Sequence, residues 1–346
     1  MKVGILTGGG DCPGLNAVIR AAVRKFHRDA EGTVLGIRKG WHGMMHGLAE
    51  ELSLRSVSGI LPKGGTILGT SRTNPRSEPG GLEQVEEHFR RLRLDALIAV
   101  GGEDTLGVAA DLHARGLRVI GVPKTIDNDL LGTDYTFGFD TAVNIATEAI
   151  DRLHTTAESH DRVIVVEVMG RHAGWIAVAA GIAGGADVIL VPEKPFDIVA
   201  VCEVIRQRHD RGKDFSIVVV AEGARFVDSP GEDGLVKTSE ERDAFGHVKL
   251  GGIGNVVGQQ INERTGFDTR VSVLGYIQRG GTPTAFDRVL ATRFGVRAVE
   301  LALEGRFGMM VALQGNQIVP VDLEIVSGGI RTVDESLYNI AQVFFG

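Results

Sequence analysis

Only two cysteines, Cys12 and Cys202, occur in this chain of 346 residues, and they stand far apart in the sequence. That count, together with a length able to bury a large core, excludes a small disulfide-stapled scaffold. Charge of one sign is not concentrated anywhere: the net charge is −7, and no block of lysine and arginine is present. A general electrostatic attraction to nucleic acid or to an anionic membrane is therefore not expected, and a bound anion must be held locally. Long apolar runs are also missing. The most membrane-like stretch, Trp175 to Val191, is rich in Ala and Gly, contains Asp187 and falls short of the ~20 residues of a comfortable span. It reads as a buried helix running into a buried strand. The N-terminus enters an apolar strand directly instead of a signal-peptide pattern, so a reducing cytoplasm is the expected location.

What is present is an alternation of short apolar runs with helical patterns. Lys2 to Thr7, Ala96 to Val100, Arg118 to Val122, Val163 to Val168, Val188 to Val191 and Phe215 to Ala221 read as strands buried on both faces, which implies parallel sheets covered by helices. Helices are expected after Gly14, Thr105, Thr141, Ala173, Asp197, Gly254 and Thr284, giving the rhythm of a doubly wound α/β protein. Phe226 to Asp243 is polar and carries Ser229-Pro230-Gly231 and Asp233-Gly234, so it reads as a surface excursion, with a lid as the less favoured alternative. Ligands of doubly wound sheets bind beyond the carboxyl ends of the strands. Three strand-to-helix loops thus merit attention: Gly8 to Leu15, Gly101 to Thr105, and Pro123 to Asp129.

Gly8-Gly9-Gly10-Asp11-Cys12-Pro13-Gly14 sets a glycine turn ahead of a helix, a place where unpaired N–H groups favour a phosphate. A tight turn needs glycine for geometry as well, and the segment has neither the Lys-Ser/Thr end of a P-loop nor the dinucleotide spacing. Gly101-Gly102-Glu103-Asp104-Thr105 puts two acids at a helix start. Such pairs are often only dipole partners, but the two glycines let a ligand approach, and Glu103 could then hold Mg²⁺. In Lys124-Thr125-Ile126-Asp127-Asn128-Asp129 an ammonium suited to phosphate adjoins two carboxylates, which points to Asp127 as general base and Asp129 near a metal. These parts together are those of phosphoryl transfer, which is mostly positioning and charge stabilisation.

Farther on, Arg162, Arg171, Arg270 and Arg279 recur beside glycines or strand ends, and Glu222 closes an apolar run. Each arginine alone is more often a surface ion-pair partner; as a set they could grip a sugar phosphate, with Glu222 accepting from hydroxyls. Tyr276-Ile277-Gln278-Arg279-Gly280-Gly281 reads as a strand ending in a cation on open backbone. His42 and His46 lack a nearby third ligand for zinc. Cys12 has no identifiable base and reads as a packing residue, and Trp41 and Trp175 read as core or pocket wall.

With these motifs in this order, from Gly8 through Gly64-Gly65-Thr66 to Arg72, Met169-Gly170-Arg171 and on to Arg288, the chain resembles the 6-phosphofructokinases. The resemblance implies two similar doubly wound α/β lobes with mainly parallel sheets and the active site in the cleft between them. The expected division is a phosphoryl-donor lobe at 1–140, a sugar-phosphate lobe at 141–303, and a segment at 304–346 packing back on the lobes. It further implies that Asp127 accepts the proton, that Glu103 binds Mg²⁺, and that Gly10 and Arg72 face the donor. Thr125, Met169, Gly170, Arg171, Glu222, Tyr276, Gln278 and Arg279 would contact fructose 6-phosphate. Arg162 and Arg270 would reach it from a neighbouring subunit, which implies a homodimer or homotetramer with shared sites. Glu103 stands where aspartate is usual, and Tyr276 where histidine is common. ATP users of the family typically carry glycine at positions 104 and 124; Asp104 and Lys124 together resemble the pyrophosphate-dependent branch. Arg20, Arg24, Arg211 and Lys213 match cations of an effector pocket in which Leu54 and His154 replace arginines.

The expectation from sequence is a reversible, Mg²⁺-dependent transfer from pyrophosphate to the 1-hydroxyl of fructose 6-phosphate. Its rivals are the same reaction with ATP, and a catalytically silent regulatory or binding subunit of the same fold. Sedoheptulose 7-phosphate is a conceivable second acceptor, and oligomer number, regulation and direction are not legible.

Overall fold

In the computed structural model, residues 1–227, 235–242, 244–246 and 248–345 are described. The chain begins β1 (Lys2–Thr7), α1 (Leu15–Asp29), β2 (Thr33–Ile37), α2 (Gly40–His46), β3 (Ala49–Glu51), α3 (Gly81–Arg91), β4 (Ala96–Gly101), α4 (Glu103–Ala114) and β5 (Val119–Thr125). It continues through β6 (Phe137–Gly138), α5 (Phe139–Ser159), β7 (Val163–Val168), α6 (Trp175–Ala183), β8 (Val188–Leu190), α7 (Ile198–Asp210) and β9 (Ser216–Ala221). The remainder comprises β10 (Lys237–Arg242), β11 (Val248–Leu250), α8 (Ile253–Thr265), β12 (Thr269–Val273), α9 (Ala285–Leu303), β13 (Met309–Gln314), β14 (Gln317–Asp322) and α10 (Glu335–Gln342).

Two sheets organise these elements. The larger runs β14-β13-β5-β4-β1-β2-β3, with β6 paired to β5; its centre is parallel, and antiparallel strands β14 and β3 close the two edges. The smaller runs β12-β7-β9-β8 and is parallel throughout. β4, β7 and β9 are buried at every position, as apolar strands covered on both faces must be. β2 and β4 flank β1 on opposite sides, so strand order reverses there and a crevice opens beyond the carboxyl ends of β1 and β4. One apolar cluster contains side chains of both sheets, among them Val100, Phe137, Ile164 and Val219.

Several expectations need correction. β5 extends through Thr125, so Pro123, Lys124 and Thr125 belong to the strand and the loop starts at Ile126. α4 begins at Glu103 and α5 at Phe139, each ahead of the expected starts after Thr105 and Thr141. Gly275–Arg279 is a turn of 3-10 helix instead of a strand, because Gly275 takes φ 50° and breaks the extension after β12. The polar excursion at 226–243 contains strand β10, paired to β11; its residues 228–234 and 243 lie outside the described residues. α9, at the end of the 141–303 segment, meets α1 so closely that a Cβ on Gly295 would lie 2.6 Å from the Val18 carbonyl.

Asp287, in the first turn of α9 and 0% exposed, joins that helix to α5. Its Oδ2 accepts from the Thr141 N–H at 2.8 Å and from the Thr141 hydroxyl. Burial outweighs these bonds and pushes its carboxyl up to about 6. A raised folded-state value favours the folded protein below the unfolded value of ~3.9, and that advantage is lost as pH rises to about 6. Relative to Asp287→Asn, the wild type should therefore lose thermal stability between pH ~4 and ~6, by at most about 3 kcal/mol. Melting curves of both proteins across that range check this, and a pH-independent difference refutes it.

Candidate functional site

The crevice at the carboxyl ends of the strands is a cleft lined in part by Gly10, Arg72, Glu103, Asp104, Lys124, Asp127, Asp129, Arg171 and Arg279. On one side, the β1–α1 turn lies against other cleft residues. A Cβ on Gly10 would stand 2.7 Å from the Arg279 Nη1, and one on Gly8 would stand 2.6 Å from the Thr105 hydroxyl. A larger residue at Gly8 would crowd Thr105, and one at Gly10 would displace the Arg279 guanidinium, whatever ligand the turn meets. Glu103 and Asp104 occupy the first turn of α4, where the helix dipole favours negative charge.

Lys124 projects into this space while only 3% exposed. Its Nζ donates to the Gly10 carbonyl. Burial pulls its pKa down, with Asp127 and Asp11 acting in the opposite direction. Next to it, the loop after β5 folds on its own side chains. The Asp127 N–H donates to the Thr125 hydroxyl at 3.0 Å, the Thr136 hydroxyl donates to the Thr125 carbonyl at 2.8 Å, and the Thr136 N–H donates to Asn128 Oδ1 at 3.0 Å. Asp127 is 5% exposed, and its Oδ1 has no hydrogen-bond partner among the described residues. Burial first, and the charge of Asp127 second, push the Asp129 carboxyl up to about 7.

The other side comes from the smaller sheet. After β7, the Gly170 and Arg171 N–H groups donate to Glu222 Oε1 at 3.3 and 3.1 Å, so the acid following β9 orders the turn following β7. Burial raises the Glu222 pKa, with Asp127 adding to it. Arg171 Nη1 lies 3.9 Å from Asp104 Oδ2, spanning the cleft. Arg171 and Asn128 both hold left-handed backbone, at φ 52° and 53°, a strain that collects at functional sites. The Arg279 Nε is buried with no hydrogen-bond partner among the described residues.

Other expected residues sit differently. Gln278 is fully buried, with Oε1 accepting from the Met169 N–H at 3.4 Å, so it supports the turn from behind. Tyr276 is 75% exposed and outside the cleft lining. Arg162 and Arg270 both bind Asp268, at 2.6 and 2.5 Å. They sit at the amino ends of β7 and β12, the ends opposite the turn at 169–171. Arg20, Arg24 and Leu54 line a separate cavity of about 500 Å³, whereas Lys213 and His154 act on Asp187. Cys12 is buried, its thiol pushed up to about 12 by desolvation, and His42 stacks on His46 at 4.3 Å.

Two contributors escaped the sequence reading. Phe245 lines the cleft from between β10 and β11, where the Ala244 carbonyl accepts from Asn74 Nδ2 and Ser77 Oγ at 3.1 Å each. Arg331, from the C-terminal segment, bonds the main chain of the 126–130 loop. Neither has a local sequence signal, because both act through contacts distant in sequence.

The carboxylates fit a cation. Asp127 has an unpartnered buried oxygen, and burial, with the charge of Asp127 second, disfavours the ionised Asp129 carboxyl, a cost that a bound cation would offset. Among the described residues, no three His, Cys, Asp or Glu side chains are gathered for a metal. Mg²⁺ accords with that, since it usually takes one or two carboxylates and completes its shell with water and substrate phosphates.

The sequence profile described as Phosphofructokinase matches residues 2–302. This chain belongs to the phosphofructokinase family. It is 58% identical to a pyrophosphate--fructose 6-phosphate 1-phosphotransferase of Amycolatopsis methanolica over 346 residues, all of both chains. An ATP-dependent 6-phosphofructokinase of Corynebacterium efficiens is 49% identical, covering 100% of this chain and 99% of the relative. The crystal structure of Pichia pastoris phosphofructokinase in the T-state superimposes with a TM-score of 0.83 at 32% identity, over 99% of this chain and 36% of that longer one. The two-lobed phosphofructokinase fold accounts for both sheets and for the cleft between them. Family members named for either donor thus share this length and fold, and the choice of donor has to be read from the cleft.

Proposed function

We propose that the protein transfers a phosphoryl group reversibly from pyrophosphate to the 1-hydroxyl of fructose 6-phosphate, giving fructose 1,6-bisphosphate. The observation that carries this reading is the pairing of a buried Lys124 with Asp104 in one cleft. A nucleotide's inner phosphate would have to sit beside the Asp104 carboxylate, which resists it by bulk and by charge. Pyrophosphate presents only a compact leaving phosphate, whose charge Lys124 and Arg72 neutralise. The relative named for pyrophosphate is also the more similar of the two, at 58% against 49%.

In this mechanism Arg171, Arg279 and Glu222 hold the sugar phosphate so that its 1-hydroxyl faces Asp127. The free Asp127 Oδ1 takes the proton of the 1-hydroxyl as the hydroxyl oxygen attacks phosphorus. The bridging P–O bond breaks, and orthophosphate leaves against Lys124. Glu103 and Asp129 would hold Mg²⁺, which neutralises charge on the transferring phosphate when bound. The reverse reaction uses the same groups, Asp127 returning the proton.

The lobe division at 1–140, 141–303 and 304–346 is part of this reading, as is a cytoplasmic location. No helix among the described residues is long and apolar enough to cross a membrane. Arg162 and Arg270, far from their own cleft, suit a site completed across a homodimer or homotetramer.

Two experiments test the reading. Wild-type protein with Mg²⁺ should turn over pyrophosphate and show little or no turnover of ATP, and Asp104→Gly should raise kcat/KM for ATP. Efficient ATP use by the wild type contradicts the donor assignment. For the shared site, Asp127→Asn and Arg162→Ala chains should each show only a small residual rate alone, ~10²-fold or more below wild type for Asp127→Asn, and regain turnover when mixed. Hybrids that assemble yet stay at the residual rate refute it.

A further inference from the structure

The loop carrying Asp127 and Asp129 is held from outside by the last part of the chain. Leu130 pairs with Ile330 in an antiparallel bridge. The Arg331 N–H donates to the Asp129 carbonyl at 2.7 Å, and its guanidinium donates through Nη1 to the Asn128 carbonyl at 3.2 Å. That guanidinium lies 4.2 Å over the Trp175 ring, and the Trp175 indole N–H donates to the Arg331 carbonyl at 3.0 Å. Trp175 opens α6, directly after the turn that presents Arg171. Two residues on, the Val333 N–H donates to Glu193 Oε1 at 2.9 Å, and the same oxygen accepts from the Gly174 N–H at 2.9 Å. Residues 330–333 are therefore bonded at once to the loop after β5, on the larger sheet, and to the turn after β7, on the smaller one.

Within this strap the Arg331 side chain has a particular task. Asn128 is left-handed at φ 53°, and its own side chain is engaged by Thr136. Its carbonyl is part of the peptide plane leading into Asp129, and its nitrogen is part of the plane leading back to Asp127. Rotation of Asn128 would move both carboxylates together. A charge-assisted bond to that carbonyl, from a guanidinium fixed on an aromatic ring, opposes such rotation. Displacing a reacting group by ~1 Å can cost on the order of 10²-fold in rate.

We propose that Arg331, lodged between Trp175 and the Asn128 carbonyl, is a positioning residue that sets Asp127 for proton transfer and fixes its loop relative to the turn bearing Arg171. This rests on the assignment of Asp127 as base. The test is Arg331→Met, which keeps an apolar stem beside Trp175 and leaves all main-chain bonds in place. The expected result is a fall in kcat of ~10-fold or more, a KM for fructose 6-phosphate within ~3-fold of wild type, and an unchanged melting temperature. In an Asp127→Asn background the same change should leave the residual rate unaltered, because the group it positions is already gone. Arg331→Lys keeps the charge without the fork and should recover part of the lost kcat. A kcat within ~2-fold of wild type, an equal loss in both backgrounds, a loss matched by unfolding, or no recovery with lysine overturns the proposal. All assays use whichever donor the wild type turns over, so an error in the donor assignment appears in the wild-type rates before any variant is judged.

Discussion

A lysine ammonium only 3% exposed, at the end of a central parallel strand, is the constraint around which this cleft is built. An ammonium that has lost its water is held by fixed dipoles and opposite charge, or it gives up its proton. Here the Gly10 carbonyl accepts from it, and Asp127 and Asp11 raise its proton affinity against the effect of burial. The same requirement draws the glycine turn after β1 onto β5 and keeps Asp127 in the same cleft. An incoming phosphate would supply the remaining compensation.

The two sheets contribute different kinds of geometry. The larger one gives cations and carboxylates at its β1/β4 switch point, where ligand crevices of open α/β sheets form. The smaller one gives a turn, Met169 to Arg171, ordered by Glu222 and backed by Gln278. Arg171 reaching to 3.9 Å from Asp104 places the two contributions against each other. The C-terminal strap bonds to both contributions from outside the cleft, and Phe245 adds to its lining.

Much of this was legible because its signals are local. The apolar run Val163–Val168 is strand at every residue and Phe215–Ala221 from Ser216 onward, and the glycine-acid clusters fall at the strand ends, where ligands of such sheets bind. The resemblance to phosphofructokinases rested on these same segments. Misreadings arose where local pattern is ambiguous or silent. Tyr276 to Arg279 looks apolar enough for a strand, but the φ of Gly275 decides otherwise. β13 and β14 passed unnoticed although the Gly315-Asn316 pair between them is a hairpin signal, and Pro320 is tolerated because β14 is an edge strand. Arg331 and Phe245 could not have been found at all from spacing. Their roles come from carbonyl and ring contacts up to about two hundred residues away, which no periodicity encodes.

The central claim is that a buried Lys124 takes up the charge of an inorganic phosphate donor. Direct titration of Mg²⁺-pyrophosphate into wild type and Lys124→Met, with fructose 6-phosphate binding measured alongside, tests it most simply. The account predicts that pyrophosphate affinity falls by ~10-fold or more in the variant while fructose 6-phosphate affinity is retained. Equal pyrophosphate affinity in the two proteins would contradict it.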